Sequence, residues 1–208
     1  MEGLVLFGDV VASRRDAGGA TAWLRTLRAD LSEAYPVTDQ LAAFEFTQGD
    51  ELQGLLASSA DPIVAVLRAS LHPERRAMRW VIVRGEVDAG DGPATQRSGP
   101  AFITARSRLA IAAARRELVS ASTGEPATDE LLDALAPVLG ELLRDLTTRQ
   151  REIAWLLLVD ELRQADAAAG LRVTRATVSV AADRAHIRSI GRLAHVLGRL
   201  ISRPADDA

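Results

Sequence analysis

Two aspartates in the N-terminal half of the chain sit where side chains do chemistry. Asp9 follows a short apolar run, Leu4 to Phe7, within Gly8-Asp9-Val10-Val11-Ala12-Ser13-Arg14. Asp50 lies in Phe46-Thr47-Gln48-Gly49-Asp50-Glu51-Leu52, where Gln48-Gly49-Asp50 separates two strand-like runs and reads as a hairpin tip. Two carboxylates brought to one spot repel, and a hard cation is what commonly keeps them together. Mg²⁺ completes its shell with water and phosphate oxygens, so the pair points to nucleoside triphosphate chemistry. The plain alternative is that Asp9 caps a turn and Asp50 supplies the hairpin turn. Arg14 and Arg106 are candidates to face phosphates, because the guanidinium fork matches phosphate geometry. A surface or ion-paired Arg is the alternative for each.

The elements that must carry these residues can be read from periodicity. Leu4 to Phe7 is a continuous apolar run suited to a strand buried on both faces. Trp23, Leu24, Leu27, Leu31 and Ala34 have helical spacing across Thr21 to Tyr35. Ala43 to Thr47 and Glu51 to Leu56 are the hairpin strands. Pro62 to Leu71 reads as helix, Met78 to Val83 as strand, and Ala101 to Leu118 as a long Ala- and Arg-rich helix. Strand, helix, strand, strand, helix, strand and a further helix is the split βαβ, ferredoxin-like order, an α+β arrangement. A tight central hairpin disfavours a parallel Rossmann-type sheet, whose strands need long crossovers. The first strand is expected at the centre, beside the hairpin, so that Asp9 and Asp50 converge. Ser120 to Pro126 is small and polar with Gly and Pro and reads as a connection. It divides residues 1–122 from an all-helical part, residues 126–203.

Composition removes whole classes of chemistry. The chain has 208 residues, 28 acids against 25 bases, and a formal charge of −3. It has no cysteine, which excludes disulfides, thiolate catalysis and cysteine-ligated metal sites. All its bases are Arg, so a phosphate-binding or Schiff-base lysine is excluded too. No apolar run approaches the ~18–20 residues of a membrane span. The start, Met1-Glu2, does not read as a signal peptide, and a cytoplasmic location with no membrane partner is the expectation.

The two aspartate motifs, together with Gly99-Pro100-Ala101-Phe102 and Ala105-Arg106, resemble the SatD family over most of the chain. More distantly, Gln48-Gly49-Asp50-Glu51-Leu52 is similar to the GGDEF signature of diguanylate cyclases, and the arrangement is similar to the palm of class III nucleotide cyclases. That likeness implies a metal site of Asp9, Asp50 and the Val10 carbonyl. It also implies a phosphate-facing or catalytic Arg106, and a site shared between two palms. Phe46 and Phe102 stand where such cyclases carry a base-reading Lys and an Asn. A ring can stack on a base but cannot hydrogen-bond to it. The resemblance therefore implies nucleotide or Mg²⁺ binding through Arg14, Phe46, Phe102 and Arg106, without turnover.

In the second part, Thr147 with Gln150 has the spacing of a capping box. A short helix, Leu162 to Ala169, a turn at Gly170 to Val173 and a helix capped by Thr174 follow. This is the helix-turn-helix layout. Leu146-Thr147-Thr148-Arg149-Gln150 and Val173-Thr174-Arg175-Ala176-Thr177-Val178-Ser179 resemble the DNA-binding region of sigma factors and related regulators, with Arg172 where they carry a turn Gly. From Leu171 to Arg203 there are seven Arg and one Asp. Arg172, Arg175, Thr177, Ser179, Arg184, Arg188 and Arg192 are the candidate DNA contacts. A helical bundle with solvated Arg residues is the bland alternative. The combined expectation is a DNA-binding transcriptional regulator with a nucleotide- or metal-sensing domain. It would act as a homodimer through the helix from Ala101 or that from Leu131 to Leu146. A nucleotidyl cyclase or nucleotidyltransferase of altered specificity and a non-catalytic interaction protein are the alternatives.

Overall fold

β1 (Glu2–Val10) is central because its side chains are apolar on both faces. Leu4, Leu6 and Val10 enter one buried cluster, while Val5 and Phe7 enter a second. The computed structural model describes residues 1–11, 17–47 and 50–202. Arg14, Gln48, Gly49 and Arg203 lie outside the described residues. After β1 come α1 (Ala17–Ala34), β2 (Gln40–Phe46), β3 (Glu51–Ala57), α2 (Ile63–Leu71) and β4 (Met78–Glu86). Next come α3 (Pro100–Arg115), β5 (Val119–Ser122) and α4 (Pro126–Arg144). The chain ends in α5 (Thr148–Leu158), α6 (Gln164–Gly170), α7 (Arg175–Arg184) and α8 (Ile187–Ile201). It is a mixed α+β protein. Among the described residues, no helix is long and apolar enough to cross a membrane.

The sheet order is β2-β3-β1-β4-β5. β1 runs antiparallel to both β3 and β4, and β2 antiparallel to β3, while β5 adds parallel to β4. On one face lie α1 and α2, whose Leu24, Leu27, Leu31, Ile63 and Val66 are buried against Leu4, Leu6, Leu52 and Ile82. Fully burying one such side chain contributes ~1.5–3 kcal/mol. Phe44 also lies in this cluster, and its ring crosses Gly54 of β3 so closely that a Cβ there would meet it at 2.2 Å. On the opposite face α3 covers Val5, Phe7, Val81 and Val83 with Ala101, Phe102, Ala105 and Leu109.

The expected connection at Ser120 to Pro126 is corrected in its first half. Val119–Ser122 is a strand, all four residues are buried, and Trp80 to Val83 of β4 pair with it in parallel. Its serines are bonded rather than solvated. The Ser122 hydroxyl donates to Asp129 at 2.6 Å, and Ser120 accepts from Arg108 at 3.3 Å. Beyond it, the α1/α2 cluster continues without a break into α4 through α8, taking in Leu132, Leu139, Ile153, Ile190 and Ile201. Arg84 of β4 ties the last helix down by donating to the Ile201 carbonyl at 3.1 Å.

Candidate functional site

Strand alternation turns Asp9 to the same face as Phe7 and Val5, under the α3 side of the sheet. Its cross-strand partners are Glu51 on β3 and Arg79 on β4, so three charged side chains stand in a row. Glu51 and Arg79 are buried. Buried charges persist only when paired, and each of these is. Arg79 Nη1 donates to Asp9 Oδ2 at 3.0 Å, and its Nε donates to the Glu117 carbonyl at 3.1 Å. Glu51 accepts from Gln53 Nε2 at 2.6 Å and is ion-paired with Arg106. The Arg106 guanidinium lies 4.7 Å above the Phe7 ring centroid, a cation–π arrangement.

Asp50 is fixed to Asp9 through the backbone, since the Val10 N–H donates to the Asp50 carbonyl at 3.0 Å. Burial holds the Asp9 carboxyl above the usual carboxylate range. The nearby Asp50 carboxylate adds to the rise, and Arg79 offsets only part of it. Two neighbouring carboxylates are a donor set that suits Mg²⁺, which takes one or two protein carboxylates and fills its shell with water and phosphate oxygens. Among the described residues, no group of three or more His, Asp or Glu forms a fuller cage.

Beside this row a cleft of about 750 Å³ opens between α3, the loop before it and the sheet. Phe7 and Phe102 floor it, 6.0 Å apart, and Gln53, Arg97, Ser98 and Arg106 supply its polar groups. Gly99 makes the approach of loop and helix feasible. It has φ +128, and a Cβ would fall 2.7 Å from the Asp88 nitrogen and from Val87 Cα. The loop between β4 and α3, which carries Asp88 and Asp91, is pinned there, with Ser98 Oγ donating to Asp88 Oδ2 at 2.8 Å.

The expected nucleotide residues do not all meet in this cleft. Phe102 and Arg106 line it, but Phe46 pairs with Leu52 and packs on the opposite face of the sheet, under Arg28 at 5.7 Å. Phe46 is therefore separated by the sheet from Phe102 and Arg106, because period-two alternation sends it toward α1. Asp9 and Asp50 do not line the cleft either; the Glu51–Arg106 pair stands between. Sequence reasoning passed over Arg79, Glu51 and Gln53. The signal was a charged residue breaking the apolar run Met78 to Val83, which on a buried strand requires a partner.

In the helical part the caps form where their spacing indicated. Thr147 Oγ1 accepts from the Gln150 N–H, and the Gln150 side chain accepts from the Thr147 N–H, completing the capping box. Thr174 Oγ1 accepts from the Thr177 N–H at 3.1 Å. Arg172 occupies the left-handed region at φ 54, the conformation a turn Gly adopts. It closes α6 through its N–H to the Ala169 carbonyl at 3.1 Å. Val178 and Ala182 bury one side of α7, Thr177, Val180 and Arg184 are exposed on the other, and Arg175 is exposed where the helix opens. Ser179 is half-buried, and Arg188 and Arg192 project from α8 beside a concavity at the α7–α8 corner. Among the described residues, none of Arg172, Arg175, Arg184, Arg188 and Arg192 is ion-paired. Arg28, Arg68, Arg79, Arg84, Arg106 and Arg108, in the other part, all are.

His72 has a role the sequence did not suggest. At the end of α2, it lies between Trp23 of α1 and Trp155 of α5, with centroids at 4.9 and 5.6 Å. Compared with models of protein families, with curated proteins and with solved structures, the chain matches none.

Proposed function

We propose that this protein is a DNA-binding transcriptional regulator whose sheet part senses a nucleotide or a divalent cation. The observation that carries the reading is the set of unpaired, exposed arginines around α7 and the start of α8. In a chain whose net charge is −3, six arginines of the sheet part are ion-paired with carboxylates, whereas among the described residues Arg172, Arg175, Arg184, Arg188 and Arg192 have no ion pair. A capped helix after a short helix and a left-handed turn is the helix-turn-helix arrangement, and free guanidinium groups at its surface suit phosphate and base edges. The sheet part is read as a ferredoxin-like, cyclase-palm-like domain of the SatD kind. Its strand order β2-β3-β1-β4, antiparallel throughout, with α1 and α2 on one face, supports that reading. Asp9 and Asp50 would hold Mg²⁺, and the ion would supply the positive charge that binds phosphate oxygens there. Arg106, released from Glu51, would face the same anion from the cleft.

The test is fluorescence anisotropy of the full chain on duplex DNA across a salt series. Affinity should fall linearly in log–log form, with a slope of about −0.9 for each phosphate neutralised. A protein with no salt-dependent affinity for DNA would end the regulator reading.

The Asp9–Asp50 repulsion favours one second reading, a nucleotidyl cyclase or nucleotidyltransferase of altered specificity. Magnesium-dependent turnover of nucleoside triphosphates, abolished by Asp9→Asn, is the result that would replace sensing with catalysis.

A further inference from the structure

We propose that α3 is the two-fold contact of a homodimer, with the α3 helices of two copies packed antiparallel. In this arrangement Arg115 and Arg116 of each copy meet an acidic patch of the other, formed by Glu86 at the end of β4 and by Asp88 and Asp91 in the loop after it. This specifies the surface of the dimer expected of a regulator, but it rests on α3 alone and not on DNA binding.

The first observation is that α3 has two apolar faces and only one has a partner within the chain. Ala101, Phe102, Ala105, Leu109 and Ala112 are buried against the sheet. On the other side, Ile103 is 74% exposed and Ile111 is 47% exposed. Ser107, Ala110 and Ala114 are exposed between and beyond them. At 100° per residue these five positions span an arc of about 100°, one continuous stripe. A large exposed isoleucine on a water-facing helix is ordinary singly, but two in one apolar stripe mark an interaction surface. The small residues between them let a second helix backbone come close.

Charge decides what covers the stripe and in which direction. At the N-terminal end of α3, the Asp88 N–H donates to the Ser98 carbonyl at 3.0 Å, so the acidic patch is fixed beside that end. Glu86, Asp88 and Asp91 are exposed there against one base, Arg97. At the C-terminal end Arg115 and Arg116 are exposed, with Glu117 the acid at hand, 3.9 Å from Arg115. A parallel pair would set acid beside acid and base beside base. An antiparallel pair sets acid beside base at both ends, and two-fold symmetry counts the match twice. The 16 residues of α3 make a rod of ~24 Å, long enough for an apolar centre flanked by the two charged ends. Ile103 and Ser107 also line the 750 Å³ cleft. The second copy would thus close the cleft's open side and bring a cationic helix end to its mouth, which suits an anionic ligand.

Sedimentation velocity on the full chain across about 1–100 µM, the range of a modest interface, tests this. The wild type should be a dimer. Ile103→Asp, at an exposed position that the fold tolerates, should yield a folded monomer by circular dichroism. Arg115→Glu with Arg116→Glu should weaken dimerisation about tenfold or more, and Glu86→Arg with Asp91→Arg should do the same. All four together should restore it. A wild type monomeric throughout overturns the proposal, as does a dimer indifferent to Ile103→Asp. Charge reversals without mutual rescue overturn the antiparallel arrangement. Salt-dependent DNA affinity measured on the monomeric variant reports on the regulator reading separately.

Discussion

Asp9 and Arg79 face each other across the β1–β4 ladder and are joined by a hydrogen-bonded ion pair at 3.0 Å, yet the Asp9 carboxyl still titrates above the ordinary range. Burial and the Asp50 carboxylate outweigh the arginine beside it. The folded protein therefore binds the Asp9 proton more tightly than the unfolded chain does. Stability from this group is fullest below the unfolded value of 3.8 and declines as pH rises through the folded one.

Replacing Asp50 with Asn removes the like charge and should move the Asp9 titration to lower pH. Carbon-detected NMR of the Asp side chains measures it directly. An unchanged Asp9 titration would mean that the two carboxylates do not sense each other, and the shared-cation site would fall with it. Added Mg²⁺ should shift the wild-type titration in the same direction.

Arg79→Met leaves Asp9 without its partner and deletes the bond to the Glu117 carbonyl. A loss of about 2–4 kcal/mol in urea unfolding is expected, because a half-buried carboxylate loses its counter-charge. Adding Asp9→Asn to Arg79→Met should return part of that loss. Equal destabilisation in the single and double variants would show that packing, not charge, is at stake.

Asp129 is held in the opposite sense. Burial alone would raise it, but hydrogen bonds from Ser122, from the Thr123 N–H and from the Thr123 hydroxyl hold its carboxyl below the usual range. Its stabilisation is present above the unfolded value of 3.8 and is lost as pH falls through the depressed folded one. Asp129→Ala should cost about 2 kcal/mol at pH 7 and less in acid. A cost that does not shrink with pH would point to the β5–α4 turn's shape rather than its charge.

On DNA, Arg175→Ala should weaken a preferred sequence more than random sequence, by ~1–3 kcal/mol, because a groove-facing side chain reads bases. Arg188→Ala and Arg192→Ala should weaken both alike and flatten the salt slope by about one phosphate each. Identical behaviour of all three variants would remove Arg175 from the groove.

What the sequence disclosed followed periodicity and spacing. β1, the hairpin strands, α2 and β4 appear within a few residues of where alternation and turn residues placed them, and both Thr caps formed as their spacing indicated. β5 escaped because Val119-Ser-Ala-Ser122 lacks the apolar weight of a buried strand. Its serines are tolerated inside only because Asp129 and Arg108, distant in sequence, bond them. The charged row was half legible. Asp9 stood out by position, but Arg79 and Glu51 become its neighbours only through strand register, which no local spacing encodes. The face that Phe46 takes was not legible for the same reason.

The His72 sandwich makes the protein its own optical reporter. Of its three tryptophans, Trp23 and Trp155 flank that imidazole, one from the sheet part and one from the helical part. Trp80 lies in the core. Intrinsic emission therefore registers any parting of the two halves without an attached dye. A signal arising at the carboxylate row and one arising at the basic helices must both cross, or spare, the same pair of indoles.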